Sequence, residues 1–107
     1  MRATVLAGAD APAGVADWLA ATGAARRAVL VEGFGGALDL PPELPVTRLA
    51  AGCVCCLGQV PLRVGLTRLV RAQRPDELLL VLADGQHLAR VRALLADGSL
   101  GVRFALA

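Results

Sequence analysis

The chain has 107 residues, 56% of them hydrophobic, with eleven basic and nine acidic side chains giving a net charge of +2. That length suits one small domain with a real core and is too short for two, and the apolar content excludes a disordered chain. The small and interspersed charge gives no footprint for nucleic acid, and no apolar run approaches the roughly 20 residues of a membrane span.

Met1 to Ala7 holds one positive charge and too short an apolar stretch for a signal peptide. The expectation is therefore a single domain over residues 1–107, cytoplasmic, with its thiols reduced. All eleven basic residues are arginine, so no function that needs a lysine can be carried by this chain alone.

Thr4 to Ala7 is a short apolar run ending in Gly8 and predicts a buried strand. Asp10 or Pro12 then opens a helix whose apolar positions are Val15, Trp18 and Leu19, and Gly23 stops it. Ala28 to Val31 predicts a second buried strand, and the segment from Glu32 to Pro45, rich in glycine and proline, predicts a loop. Val46 to Leu49 is a third strand leading into a cysteine-bearing loop.

Pro61 suits the first position of a helix running to about Arg74. Leu62, Leu66, Leu69 and Val70 form its apolar stripe, and Arg63, Arg71 and Arg74 fall opposite, as a solvated face. Leu78 to Leu82 is the strongest buried-strand signal, an unbroken apolar run that suits a central parallel strand covered on both sides. Asp84-Gly85 turns the chain into a third helix, Gln86 to Ala96, which Gly98 ends before a last strand from Val102 to Leu106.

Strands alternating with helical patterns predict a three-layer α/β fold. Its sheet is mostly parallel, with about five strands and helices on both faces. Crossovers in such a sheet are right-handed, and sites gather outside the carboxyl ends of the strands. Gly8 to Ala13, Gly33 to Asp39, the cysteine loop and Asp84-Gly85 all follow strands and should meet there.

All three cysteines lie within Gly52-Cys53-Val54-Cys55-Cys56. On an extended segment Cys53 and Cys55 share a face, and Cys56 joins them if the chain turns, for which Gly58 and Pro61 supply the signal. Three thiolates converging from one loop make a soft-metal site suited to zinc or cuprous copper. Buried thiols, or one disulfide with a spare thiol, are the alternatives. His87, Glu32 and Asp39 are candidates for a fourth ligand, as is water, although a first-turn histidine and loop acids are more often solvated. Trp18 reads as core, and no Ser-His-Asp or paired-carboxylate constellation stands out.

Gly52-Cys53-Val54-Cys55-Cys56 resembles the GCxCC motif of the CobW-type metallochaperone GTPases. Val5-Leu6-Ala7-Gly8 falls where that family has its first strand and the opening glycine of the phosphate loop. Val31-Glu32-Gly33-Phe34-Gly35 resembles the family's V-N-E-F-G segment, and Leu79 to Gly85 lies where a strand ends in E-T-T-G. Arg48 to Ala51 before the cysteines and the amphipathic helix after them also fit. The similarity covers the N-terminal half of such a GTPase domain, and it implies a half domain of the phosphate-loop NTPase type.

The departures fall on nucleotide chemistry. The stretch that corresponds to GxxGxGKT reads Gly8-Ala9-Asp10-Ala11-Pro12-Ala13-Gly14-Val15. Gly14 stands for the lysine that neutralises phosphate and Val15 for the hydroxyl that ligates magnesium. Leu82 takes the place of the glutamate in E-T-T-G. The resemblance thus implies a degenerate relative that keeps the metal-thiolate loop, binds zinc or a similar divalent metal through Cys53, Cys55 and Cys56, and hydrolyses no nucleotide. Its partners would be the metal ion and a client metalloprotein or second chain, with no nucleic acid and no membrane. The alternatives are a GTP-binding metallochaperone domain completed by another chain, and a thiol-based interaction or redox module.

Overall fold

The computed structural model describes residues 2–21, 26–33, 38, 40–49, 60–83, 85, 88–98 and 104–106. In chain order the elements are β1 (Arg2–Ala7), α1 (Ala11–Ala21), β2 (Arg27–Glu32), β3 (Val46–Leu49), α2 (Val60–Gln73), β4 (Glu77–Leu82), α3 (Leu88–Ala96) and β5 (Ala105–Leu106). The five strands form one sheet in the order β3-β2-β4-β1-β5, and every pair is parallel.

β4 is the central strand, with Leu79 in register with Val29 of β2 and with Thr4 of β1. Side chains alternate along a strand, so Leu78, Leu80 and Leu82 enter the core on one side while Leu79 and Val81 enter the core on the other. Both sides are covered, which is why this segment reads as an unbroken apolar run. On the first side it meets Leu62, Leu66 and Leu69 of α2 and Val91, Leu94 and Leu95 of α3. On the second it meets Ala11, Val15 and Trp18 of α1, together with Leu38 and the half-buried Leu40, Leu44 and Val46.

The sidedness follows from the strand order. The steps from β1 to β2 and from β2 to β3 run in one direction along the sheet, and their connecting residues pack on the α1 side. The steps from β3 to β4 and from β4 to β5 run the opposite way, and α2 and α3 pack on the other side. Connections of one hand must change face when they change direction. The three-layer expectation is met, with all pairings parallel.

Element ends have local causes. α1 begins just after Asp10, whose carbonyl accepts the Gly14 N–H at 3.4 Å. α2 stops at Gln73 because Arg74 turns into the left-handed region (φ 44°), its N–H donating to the Val70 carbonyl at 2.9 Å. This is an αL helix cap with a non-glycine residue, and Pro75 prevents the helix from continuing. Gly98 (φ 80°) follows the end of α3.

Two expectations need correction. Glu32, read as opening a solvated loop, is the last residue of β2 and only 5% exposed. Arg74, read as part of the helix face, lies just beyond the helix. The expected first half of the last strand, residues 102–103, lies outside the described residues. Ala105 and Leu106 pair with Arg2 and Ala3 at the sheet's edge.

Candidate functional site

Parallel pairing brings the carboxyl ends of β1, β2, β3 and β4 to one edge, and three backbone bonds lock them together. The Gly8 N–H donates to the Leu82 carbonyl at 3.1 Å, the Ala83 N–H to the Glu32 carbonyl at 3.1 Å, and the Gly33 N–H to the Leu49 carbonyl at 3.0 Å. Gly8 (φ 82°) and Gly33 (φ 79°) both leave their strands through the left-handed region, which lets the chain turn off the edge at once.

Glu32 sits in the middle of this edge, its Cα in register with Leu82 on one side and Leu49 on the other. It is the buried charged residue among those described. The Ala83 N–H, already bonded to the Glu32 carbonyl, is also 3.1 Å from Glu32 Oε1. A carboxylate costs much to bury unless it is hydrogen-bonded. Here the acid serves first as a clamp between the ends of β2 and β4, with that oxygen accepting from the backbone. Sequence reasoning grouped it with loop acids. The available signal was its direct attachment to the apolar run Ala28–Val31, with no turn residue between.

At the β1 exit, only Gly8, Ala9 and Asp10 separate the strand from α1. The Ala11 N–H donates to the Gly8 carbonyl at 3.1 Å, Pro12 has no N–H, and the Gly14 N–H is taken by Asp10. The Gly8 N–H is spent on Leu82. Ala11 and Val15 are buried in the core. A Cβ built on Gly14 would lie 2.9 Å from Leu6 Cδ1, so that position faces β1 and lets α1 come close to it.

Cys53, Cys55 and Cys56 lie in the segment between β3 and α2, outside the described residues, as do Asp39 and His87. Glu32 alone of the expected ligands is described. Among the described residues no group of three or more His, Cys, Asp or Glu side chains is placed to hold a metal. What the structure does fix is where the cysteine segment departs: from Leu49, whose register partner is Glu32. Among the described residues no helix is long and apolar enough to cross a membrane.

A second feature missed from sequence lies at the other end of β2. The Arg27 guanidinium stands 5.4 Å from the centre of the Trp18 ring and donates through Nη1 to the Leu19 carbonyl at 3.1 Å. This ties α1 to the sheet by a cation–π contact and a hydrogen bond.

No family model matches the chain, and no solved structure matches it. Over an alignment of 58 residues, half of this chain, it is 40% identical to the zinc chaperone YeiR of Escherichia coli (strain K12). The match spans 18% of that protein's length. The chain is thus similar, over half its residues, to a small part of a zinc chaperone.

Proposed function

We propose that this chain is a metal-trafficking module that takes up zinc, or a similar thiophilic divalent ion, through Cys53, Cys55 and Cys56, and that it hydrolyses no nucleotide. The observation that carries the reading is the grouping of every cysteine within four positions, starting four residues after β3 ends. The identity with a zinc chaperone supports zinc as the ion, and the motif's likeness to GCxCC supports the CobW-type relationship. The end of β3 at Leu49, on the carboxyl edge of the parallel sheet, supports reading the residues that follow it as part of a site.

Three thiolates give three of the four ligands of a tetrahedral ion and leave one position for water, a carboxylate or a ligand from a receiving protein. Such an incomplete shell suits transfer better than permanent structural binding. Each thiol must lose its proton to ligate, so uptake releases protons and strengthens as pH rises. Loss of hydrolysis is supported by Gly14 and Val15 at the lysine and hydroxyl positions and by the absence of lysine. The backbone N–H groups of Gly8, Ala11 and Gly14, spent inside the fold, support it too.

The test is zinc content and chelator competition for the reduced parent protein and for Cys53→Ser, Cys55→Ser and Cys56→Ser. One ion per chain is expected, with each substitution weakening affinity at least about tenfold. Metal-free reduced parent protein, or unaltered affinity in Cys55→Ser, would reject the site. Magnesium-dependent phosphate release from GTP that disappears on mutating Gly8 to Val15 would restore the GTP-binding alternative.

A further inference from the structure

The outer face of α2 carries Arg63, Arg68 and Arg71 around Val64, and no acidic residue occurs anywhere from Leu44 to Pro75. That stretch holds five arginines, whereas the rest of the chain has six arginines against nine acids. The charge, small overall and read as interspersed, is therefore segregated: the positive excess falls within this stretch. Arg63, Val64, Thr67, Arg68 and Arg71 recur at helical spacing and line a shallow groove of about 290 Å³. The three arginines are exposed, and Val64, 43% exposed, is the large apolar side chain left in solvent among the described residues.

Packing does not call for this arrangement. Leu62, Leu66 and Leu69 bind α2 to the sheet from the opposite face. Arg68 and Arg71 are three residues apart with no acid on the helix to offset their repulsion. Arg63 stands near the amino end, where the helix dipole disfavours a cation. An acidic partner would relieve each of these strains, and guanidinium forks take carboxylates in bidentate pairs.

We propose that this face docks an acidic segment of a protein partner, with carboxylates on Arg63, Arg68 and Arg71 and one apolar side chain over Val64. Nucleic acid is the other polyanion, but the groove's lining includes an aliphatic side chain and no aromatic ring for a base to stack on. α2 follows directly on the cysteine segment, so a docked partner lies next to it in the chain. As a receiving protein the partner extends the proposed trafficking role and rests on it, while the surface chemistry can be tested without metal.

The probe is a fluorescently labelled peptide of glutamates flanking a central leucine, titrated by anisotropy at low and high salt. Binding that weakens with salt is expected, reduced at least about tenfold in Arg63→Glu/Arg71→Glu and in Val64→Asp. The matched control Arg90→Glu/Arg92→Glu, which reverses two exposed arginines on α3, should stay within about twofold. Circular dichroism checks that each variant is folded, with Arg71→Gln as the milder substitute. No binding by the parent, equal losses in test and control variants, or tighter binding of duplex DNA than of the peptide would overturn the proposal. Zinc measured on the same samples separates the two readings. A parent that holds zinc and ignores the peptide refutes docking alone, and one that binds the peptide without zinc refutes trafficking alone.

Discussion

α1 and α2 solve the same packing problem and differ where packing is silent. Each follows a strand at the carboxyl edge and lays one apolar stripe on the sheet, Ala11, Val15 and Trp18 for α1 and Leu62, Leu66 and Leu69 for α2. Their outer faces diverge. α1 exposes Pro12, Ala13, Ala16, Asp17 and Ala20, with a single charge, whereas α2 exposes Arg63, Val64, Arg68 and Arg71. A helix of this fold can therefore be covered by small residues with one charge among them. The arginines of α2 answer to something outside the core.

The strongest way to break the comparison is to remove the inner stripes. Trp18→Ala deletes the largest side chain of the α1 side and the ring under Arg27; it should cost about 4 kcal/mol in urea unfolding. Leu66→Ala, at a position 0% exposed, should cost about 3 kcal/mol. Small domains have only about 5–15 kcal/mol in hand, so both variants should unfold at markedly lower denaturant. A loss under about 1 kcal/mol for Trp18→Ala would mean that the α1 layer is peripheral and that the two helices are not equivalent.

Between the two layers lies the clamp at Glu32. Glu32→Leu keeps the size and removes the acceptor. It should cost at least about 1 kcal/mol, the Ala83 N–H keeping its bond to the backbone carbonyl of residue 32 while the side-chain acceptor is lost. Glu32→Gln preserves an acceptor at the same place and should lose less. Equal losses in the two variants would place the importance of Glu32 in its charge rather than in the bond to Ala83.

Much of the fold was legible because parallel strands carry their own signal. Leu78 to Leu82 is apolar throughout since both faces are covered, and β3 was found to the residue at Val46–Leu49. Helix stripes were read from spacing, and Trp18 was placed in the core. The exits were harder. Glu32 looked like a loop acid because burial of a carboxylate depends on a partner 51 residues away, which no local pattern encodes. Arg74 looked helical because its left-handed turn is imposed by the cap and by Pro75, against its own preference. The contact of Arg27 with Trp18 joins two elements nine residues apart, which no pattern within either element encodes. Of the candidate site, the sequence names the cysteines, and the fold adds where β3 ends and which acid stands beside it.

The finest contrast is between two glycines in the same kind of element. Alanine in place of a helical glycine gains about 0.8–1 kcal/mol of propensity where there is room for it. At Gly65 an added Cβ would lie 3.4 Å from Leu30 Cδ1, 3.6 Å from Leu49 Cδ2 and 3.7 Å from Thr47 Cγ2, which is ordinary contact. At Gly14 it would lie 2.9 Å and 3.0 Å from the two methyls of Leu6, too close for either side chain to stay where it is. Leu6 is half-buried and can swing aside, but doing so opens its packing against the α1 side. Overpacking of this kind costs about 1–3 kcal/mol, which meets or exceeds the propensity gain. The same substitution should therefore have opposite signs. Gly65→Ala should raise stability by about 0.5 kcal/mol, and Gly14→Ala should lower it by about 0.5 kcal/mol, both read from urea midpoints at constant slope. The double variant Gly14→Ala/Leu6→Ala makes room at Leu6 and isolates the cause. If the clash is responsible, adding Gly14→Ala to Leu6→Ala should be stabilising, whereas a loss in that background too would trace the cost to the helix start itself, where Asp10 accepts the Gly14 N–H.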